Sequence, residues 1–139
     1  MKIDYSDIDM AFTFVSFGSI YDHSAYLNTR NGNIYYISEF EEPEEEIPED
    51  IYESDDYIAI PHKNDLNLGR DLVFDFVSNR LPEDFEKVQI YFMRKGAYSR
   101  FKDLLERRSM LDEWHKFEEE RTEKALRKWC KINNIKLTS

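Results

Sequence analysis

"SAYLNTRNGNIYYISEF", residues 24–40, decides how the first half of this chain folds. Asn31-Gly32 supplies the positive backbone angles of a tight turn. Tyr26-Leu27 precede it, and Ile34, Tyr35, Tyr36 and Ile37 follow it. β-Branched and aromatic side chains suit a pleated surface, so the segment is predicted to be a β-hairpin. Four large residues in succession imply that both faces of the second strand are at least partly covered.

Upstream, "SDIDMAFTFVSF" (residues 6–17) places Ile8, Phe12 and Val15 near one face at helical spacing, with Ser6 as the expected N-cap. Downstream, residues 39–56 hold eleven acidic residues, no basic one and two prolines. Close like charges repel and extend a chain, so a solvated, mobile loop is expected there. "YIAIP" (residues 57–61) then reads as a short strand that returns to the hairpin, with Ile58 and Ile60 on one face.

From residue 65 the apolar period becomes helical. Leu68, Leu72, Phe76 and Val77 share a face, with Asp65 or Asn67 as candidate caps. Pro82 suits a helix start, Phe85, Val88 and Phe92 repeat at helical spacing, and Gly96 sits where a helix commonly stops. Ala97, Phe101, Leu104 and Leu105 form the stripe of a third helix. Ser109 is a possible cap for a fourth, whose stripe is Trp114, Phe117, Ala125, Trp129 and Ile132. The fold class is therefore α+β: an N-terminal helix and a small antiparallel sheet (hairpin plus one further strand), packed on a C-terminal half of about four helices. A chain of 139 residues is expected to be one domain, 1–139, with an acidic half at 1–61 and a helical half at 62–139.

The net charge of −10 conceals an asymmetry. Residues 1–61 carry fifteen acidic and two basic residues, net −13, whereas residues 62–139 carry net +3. The start of the chain lacks the basic and apolar pattern of a secretory leader, and no apolar run approaches the ~20 residues of a membrane span. A cytoplasmic, non-membrane protein is expected. The single cysteine, Cys130, excludes an internal disulfide and reads as a small buried hydrophobe.

No catalytic constellation emerges. The four glycines are scattered, so no phosphate loop forms, and no serine elbow is present. Nothing in the spacing pairs Cys130 with His23, His62 or His115. His115 with Glu118 or Glu119 falls short of a zinc motif, and the acidic loop lacks the calcium-loop pattern. No enzyme activity, metal or cofactor is expected. Glu118 and Arg121, three apart, are expected to form a salt bridge. Tyr26, Tyr35, Tyr36, Tyr52 and Tyr57 cluster around the sheet and loop, where packing is favoured over binding.

Two candidate surfaces remain. Glu41, Glu42, Glu44, Glu45, Glu46, Glu49, Asp50, Glu53, Asp55 and Asp56 form an acidic set suited to a basic partner protein. In its sharper form this is a nucleic-acid mimic or inhibitor, the carboxylates standing for phosphates in a cationic groove. The alternative is direct nucleic-acid binding by Arg94, Lys95, Arg100, Lys102, Arg107 and Arg108. Residues 94–108 are net +4, but Phe101 lies on the core stripe and Tyr98 is the one aromatic left for stacking. The overall acidity argues against this alternative. The identity of the partner and the oligomeric state stay open.

"GAYSRFKDLLE" (96–106), "LDEWHKFEEER" (111–121) and "ALRKWCKINNI" (125–135) resemble the C-terminal signature of uncharacterised protein family 0158, a bacterial group. The matching residues are Gly96-Ala97, Arg100-Phe101-Lys102-Asp103, Leu105-Glu106, Leu111, Trp114, Phe117, Ala125, Trp129 and Ile135. "IDMAFTFVS" ahead of "AYLNTRNGNIY", and an acidic stretch before "YIAIP", extend the resemblance over nearly the whole chain. This chain has Asn28 and Asn33 where the family often has acidic residues. The resemblance implies the fold and no activity.

Overall fold

The computed structural model describes residues 3–19 and 21–138. It is α+β, with helix α1 (Tyr5–Ser16), strands β1 (His23–Asn28), β2 (Ile34–Ser38) and β3 (Tyr57–Ala59), then helices α2 (Arg70–Arg80), α3 (Phe85–Tyr91), α4 (Ala97–Arg107) and α5 (Leu111–Ile132). Residues up to Leu66, together with those from Lys124 on, form one compact unit; Asn67–Glu123 form the other.

The first unit is built on an antiparallel sheet of order β2-β1-β3. Tyr26 stands opposite Tyr35 on one side and Ala59 on the other. The hairpin connection is longer than the tight turn expected from Asn31-Gly32. Gly32 alone takes a positive φ, 81°, and its N–H donates to the Asn28 carbonyl at 2.8 Å. The Asn28 carboxamide oxygen accepts from the N–H groups of Arg30 and Asn31, at 2.8 and 3.2 Å. One side chain thus pins the loop, as short polar residues do at turns.

α1 buries Ile8, Ala11, Phe12 and Val15 and packs against β1. Its cap is Asp4 in place of Ser6: the Asp4 N–H donates to the Asp7 carboxylate at 3.1 Å. His62, 2% exposed, joins the sheet to the end of α1. Its Nδ1 accepts from the Asn64 N–H at 3.0 Å, which assigns the proton to Nε2, 3.4 Å from the Gly18 carbonyl. The Lys63 N–H donates to the Ser16 hydroxyl at 3.0 Å. At the opposite end of α1, residues from the two ends of the described chain meet. Ile3 and Leu137 form a parallel bridge, the Thr138 N–H donates to the Ile3 carbonyl at 2.9 Å, and the Thr138 hydroxyl contacts the Asp4 carboxylate.

The second unit has its own core of Leu72, Val73, Phe76, Val77, Val88, Phe101, Leu104, Leu105 and Trp114. Trp114 meets Phe76 and Phe101 edge-on, with ring centroids 5.3 and 5.1 Å apart, a favourable arrangement for aromatic quadrupoles. Neither expected cap of α2 acts. Gly69 is its N-cap, Asn67 takes a left-handed φ of 57°, and the Asp65 carboxylate accepts from the His62 N–H. Gly96, φ 79°, opens α4. Ser109 closes α4 instead of capping α5: it takes φ 57°, its N–H donates to the Glu106 carbonyl, and the Met110 N–H donates to that of Leu105. That is a Schellman closure. Asn134 repeats it at the end of α5, with Ile135 bonding back to Cys130.

The stripe expected on α5 is correct in its first turn and wrong in its last. Trp114 is buried, but further along Leu126 and Cys130 are the buried residues and Ile132 is 68% exposed. Arg121 finds Asp75 at 3.4 Å, where Glu118 was expected, and lies over the Phe117 ring at 4.8 Å.

Candidate functional site

The acidic segment does not behave as one loop. Glu41, Glu42, Glu44, Glu45 and Glu46 are all exposed, and their backbones make no hydrogen bond among the described residues. Beyond them the chain is anchored. Ile51 is 3% exposed, and Tyr52 meets Tyr26 edge-on at 5.4 Å. The N–H groups of Glu53 and Ser54 both donate to the Asp50 carbonyl. The Asp56 carbonyl accepts from the Thr29 N–H at 2.7 Å, and its carboxylate pairs with Arg30 at 3.1 Å. The second half of the segment 39–56 is thus tied to the sheet unit, with Ile51 filling a core site. Glu49, Asp50, Glu53 and Asp55 stay exposed on this anchored part. Among the described residues Asp56 alone of the ten acidic candidates is in an ion pair.

The free glutamates border a groove of about 400 Å³. Met10 and Phe14, one turn apart on α1, supply one wall. The alternate residues Ile34, Tyr36 and Ser38 of β2 supply the floor, since every second strand residue faces one side. Glu41, Glu42, Glu44 and Glu45, with Pro43 and Ile47, complete it. Phe14 and Tyr36 meet edge-on at 5.1 Å. Burial, and then the nearby Asp7, push the Tyr36 hydroxyl above its ordinary pKa, so it stays a neutral donor. The His23 ring lies tilted against those of Phe14, Phe17 and Phe40, and its buried Nδ1 has no hydrogen-bond partner among the described residues. Phe17 and Phe40 are nonetheless more than 70% exposed.

Met10, Phe14 and Phe40 escaped the sequence reading. The available signal was the displacement of Met10 and Phe14 from the Ile8–Phe12–Val15 stripe, which leaves them on a second apolar face of α1. Packing accounts for most of the tyrosine cluster: Tyr26 with Tyr52, Tyr35 with Tyr57, and Tyr36 with Phe14.

All six basic candidates are exposed, but half have internal partners. Arg108 donates two bonds of 3.0 Å to Asp84, a fork-to-carboxylate geometry. This bonding holds the carboxyl of Asp84, itself 5% exposed, below its ordinary pKa. Arg100 donates to the Lys95 carbonyl at 3.1 Å, and Arg107 lies 3.5 Å from the Tyr91 hydroxyl. Arg94, Lys95 and Lys102 have no side-chain partner among the described residues. Tyr98, expected to be the free stacking ring, is set edge-on against Phe92 at 5.0 Å.

Cys130 is 1% exposed, and burial pushes its thiol up, against a smaller opposing pull from Arg127. Among the described residues no group of three or more His, Cys, Asp or Glu is placed to hold a metal ion, and no helix is long and apolar enough to cross a membrane. No curated protein and no solved structure matches the chain. A family model does, over residues 8–139, and with that match the chain belongs to the uncharacterised protein family (UPF0158).

Proposed function

We propose that this is a non-enzymatic interaction protein whose acidic surface binds a basic partner protein. The observation that carries the reading is the groove bordered by Glu41, Glu42, Glu44 and Glu45. Among the described residues these exposed carboxylates have no cation beside them, and they stand next to apolar surface from Met10, Phe14 and Ile34. Charge of one sign steers encounter with the opposite sign, and adjacent apolar area holds what arrives. A nucleic-acid-binding protein, engaged through its cationic surface, is the partner class that such a row of carboxylates imitates best.

The test is capture from lysate at low and high salt. Wild type is compared with a chain in which Glu41, Glu42, Glu44, Glu45 and Glu46 are changed to Gln. Basic proteins should be retained by wild type at low salt and lost from both the variant and the high-salt wash. DNA should release them. Identical captured proteins from wild type and variant would sink the reading.

Direct nucleic-acid binding through the basic residues is the weaker reading, because Arg100, Arg107 and Arg108 already hold groups of their own chain.

A further inference from the structure

The hairpin leaves one strand edge open beside the acidic groove. The Asn28 N–H donates to the Asn33 carbonyl at 2.8 Å, and the Glu39 N–H to the Asp22 carbonyl at 3.0 Å. In an antiparallel ladder, residues alternate between bonding toward the partner and pointing away from it. With Tyr26 opposite Tyr35, these two bonds assign Tyr35 and Ile37 to the inner side. The backbone N–H and C=O groups of Ile34, Tyr36 and Ser38 therefore face outward, and they have no hydrogen-bond partner among the described residues. β2 is at the end of the sheet. An unpaired edge of this kind is a template for another strand.

The same three residues floor the groove. A strand added to this edge would place every second side chain on the groove's face, opposite Ile34, Tyr36 and Ser38. Those side chains would meet apolar surface from Met10, Phe14 and Ile34 first and carboxylates at the border next. Lys and Arg match that sequence of surfaces, because an aliphatic stem covers apolar area while its charged head reaches outward. A purely apolar strand would bury Glu41 and Glu44 without a counter-charge, and an acidic strand would be repelled. β3, the opposite edge, offers three residues.

We infer that the open edge of β2 takes an extended basic segment of the partner as a fourth strand, antiparallel to β2, with Lys or Arg at every second residue. This rests on the proposed acidic-surface reading and specifies the form in which the partner binds. Main-chain bonds to Ile34, Tyr36 and Ser38 supply the attachment, and the alternating cations supply the selectivity.

A synthetic seven-residue peptide alternating lysine and threonine is the probe, compared with the same peptide N-methylated at each lysine backbone nitrogen. The two have equal charge and identical side chains, but the second lacks the donors that face β2. The expected result is binding of the first peptide with slowed hydrogen exchange at the amides of Ile34, Tyr36 and Ser38. Methylation should weaken binding by about tenfold or more. Equal binding of both peptides, with those amides unprotected, overturns strand addition and leaves the acidic-surface reading standing. Binding of neither also overturns strand addition, and the capture experiment then decides the wider reading separately.

Discussion

Asp84 shows a contact of a single side chain that sequence spacing does not reveal. Arg108 lies twenty-four positions away and reads in the sequence as a member of a basic patch; in the fold it makes two bonds to a buried carboxylate. The Asp84 carboxyl is held below its usual 3.8, first by the hydrogen bonds from Arg108. A depressed folded pKa means that the pair stabilises the fold above the unfolded value. That contribution fades as pH falls below about 4. Asp84→Asn should therefore unfold at lower denaturant concentration than wild type at pH 7, and the gap should close in acid. Denaturation midpoints across a pH series check this; a gap of constant size down to pH 2 would contradict it. Periodicity placed Phe101, Leu104 and Leu105 correctly because one helix sets their spacing. It was silent on Asp84–Arg108 and Asp75–Arg121 because such pairs depend on which helices meet.

Elements were legible where local chemistry decides them. The hairpin follows from its turn residues and β-branched strand, although Asn28 lengthened the turn by holding two loop amides. Helix ends were harder, since Ser, Asp and Asn suit several terminal positions. Ser109 looks like the cap of the helix it precedes and in fact closes the helix it follows, in a left-handed conformation. Two substitutions test these ends. Gly96 has φ 79°, and a Cβ added there would meet nothing within 4 Å. Gly96→Ala should therefore cost stability through backbone strain, by about 0.5–1 kcal/mol once the more restricted unfolded chain of alanine is set against it. Ser109→Gly relieves the same kind of strain and should gain about 0.5–1 kcal/mol, less than the strain itself because glycine also frees the unfolded chain. Thermal unfolding of both variants should show opposite shifts; a loss in both would contradict the assignment of Ser109.

For the whole molecule, charge is the property that carries from sequence to proposed function. The net −13 of residues 1–61 is legible directly. The groove was not, because it needs Met10 and Phe14 of α1, the alternate residues of β2 and the glutamates after it to come together. Nor was the return of the chain from Lys124 to the first unit, where Leu137 bridges to Ile3. The competing use of the basic residues has its own test: a chain lacking residues 41–50 should still leave DNA unshifted in a gel. A clear shift would restore Arg94, Lys95 and Lys102 as a nucleic-acid site. The central claim, that exposed glutamates draw in a basic partner, is tested most directly by titrating one captured partner against rising salt. Wild type should lose affinity steeply, and the chain with Gln at positions 41, 42, 44, 45 and 46 should bind more weakly with a shallower slope. Equal affinities and equal slopes for the two chains would contradict the account.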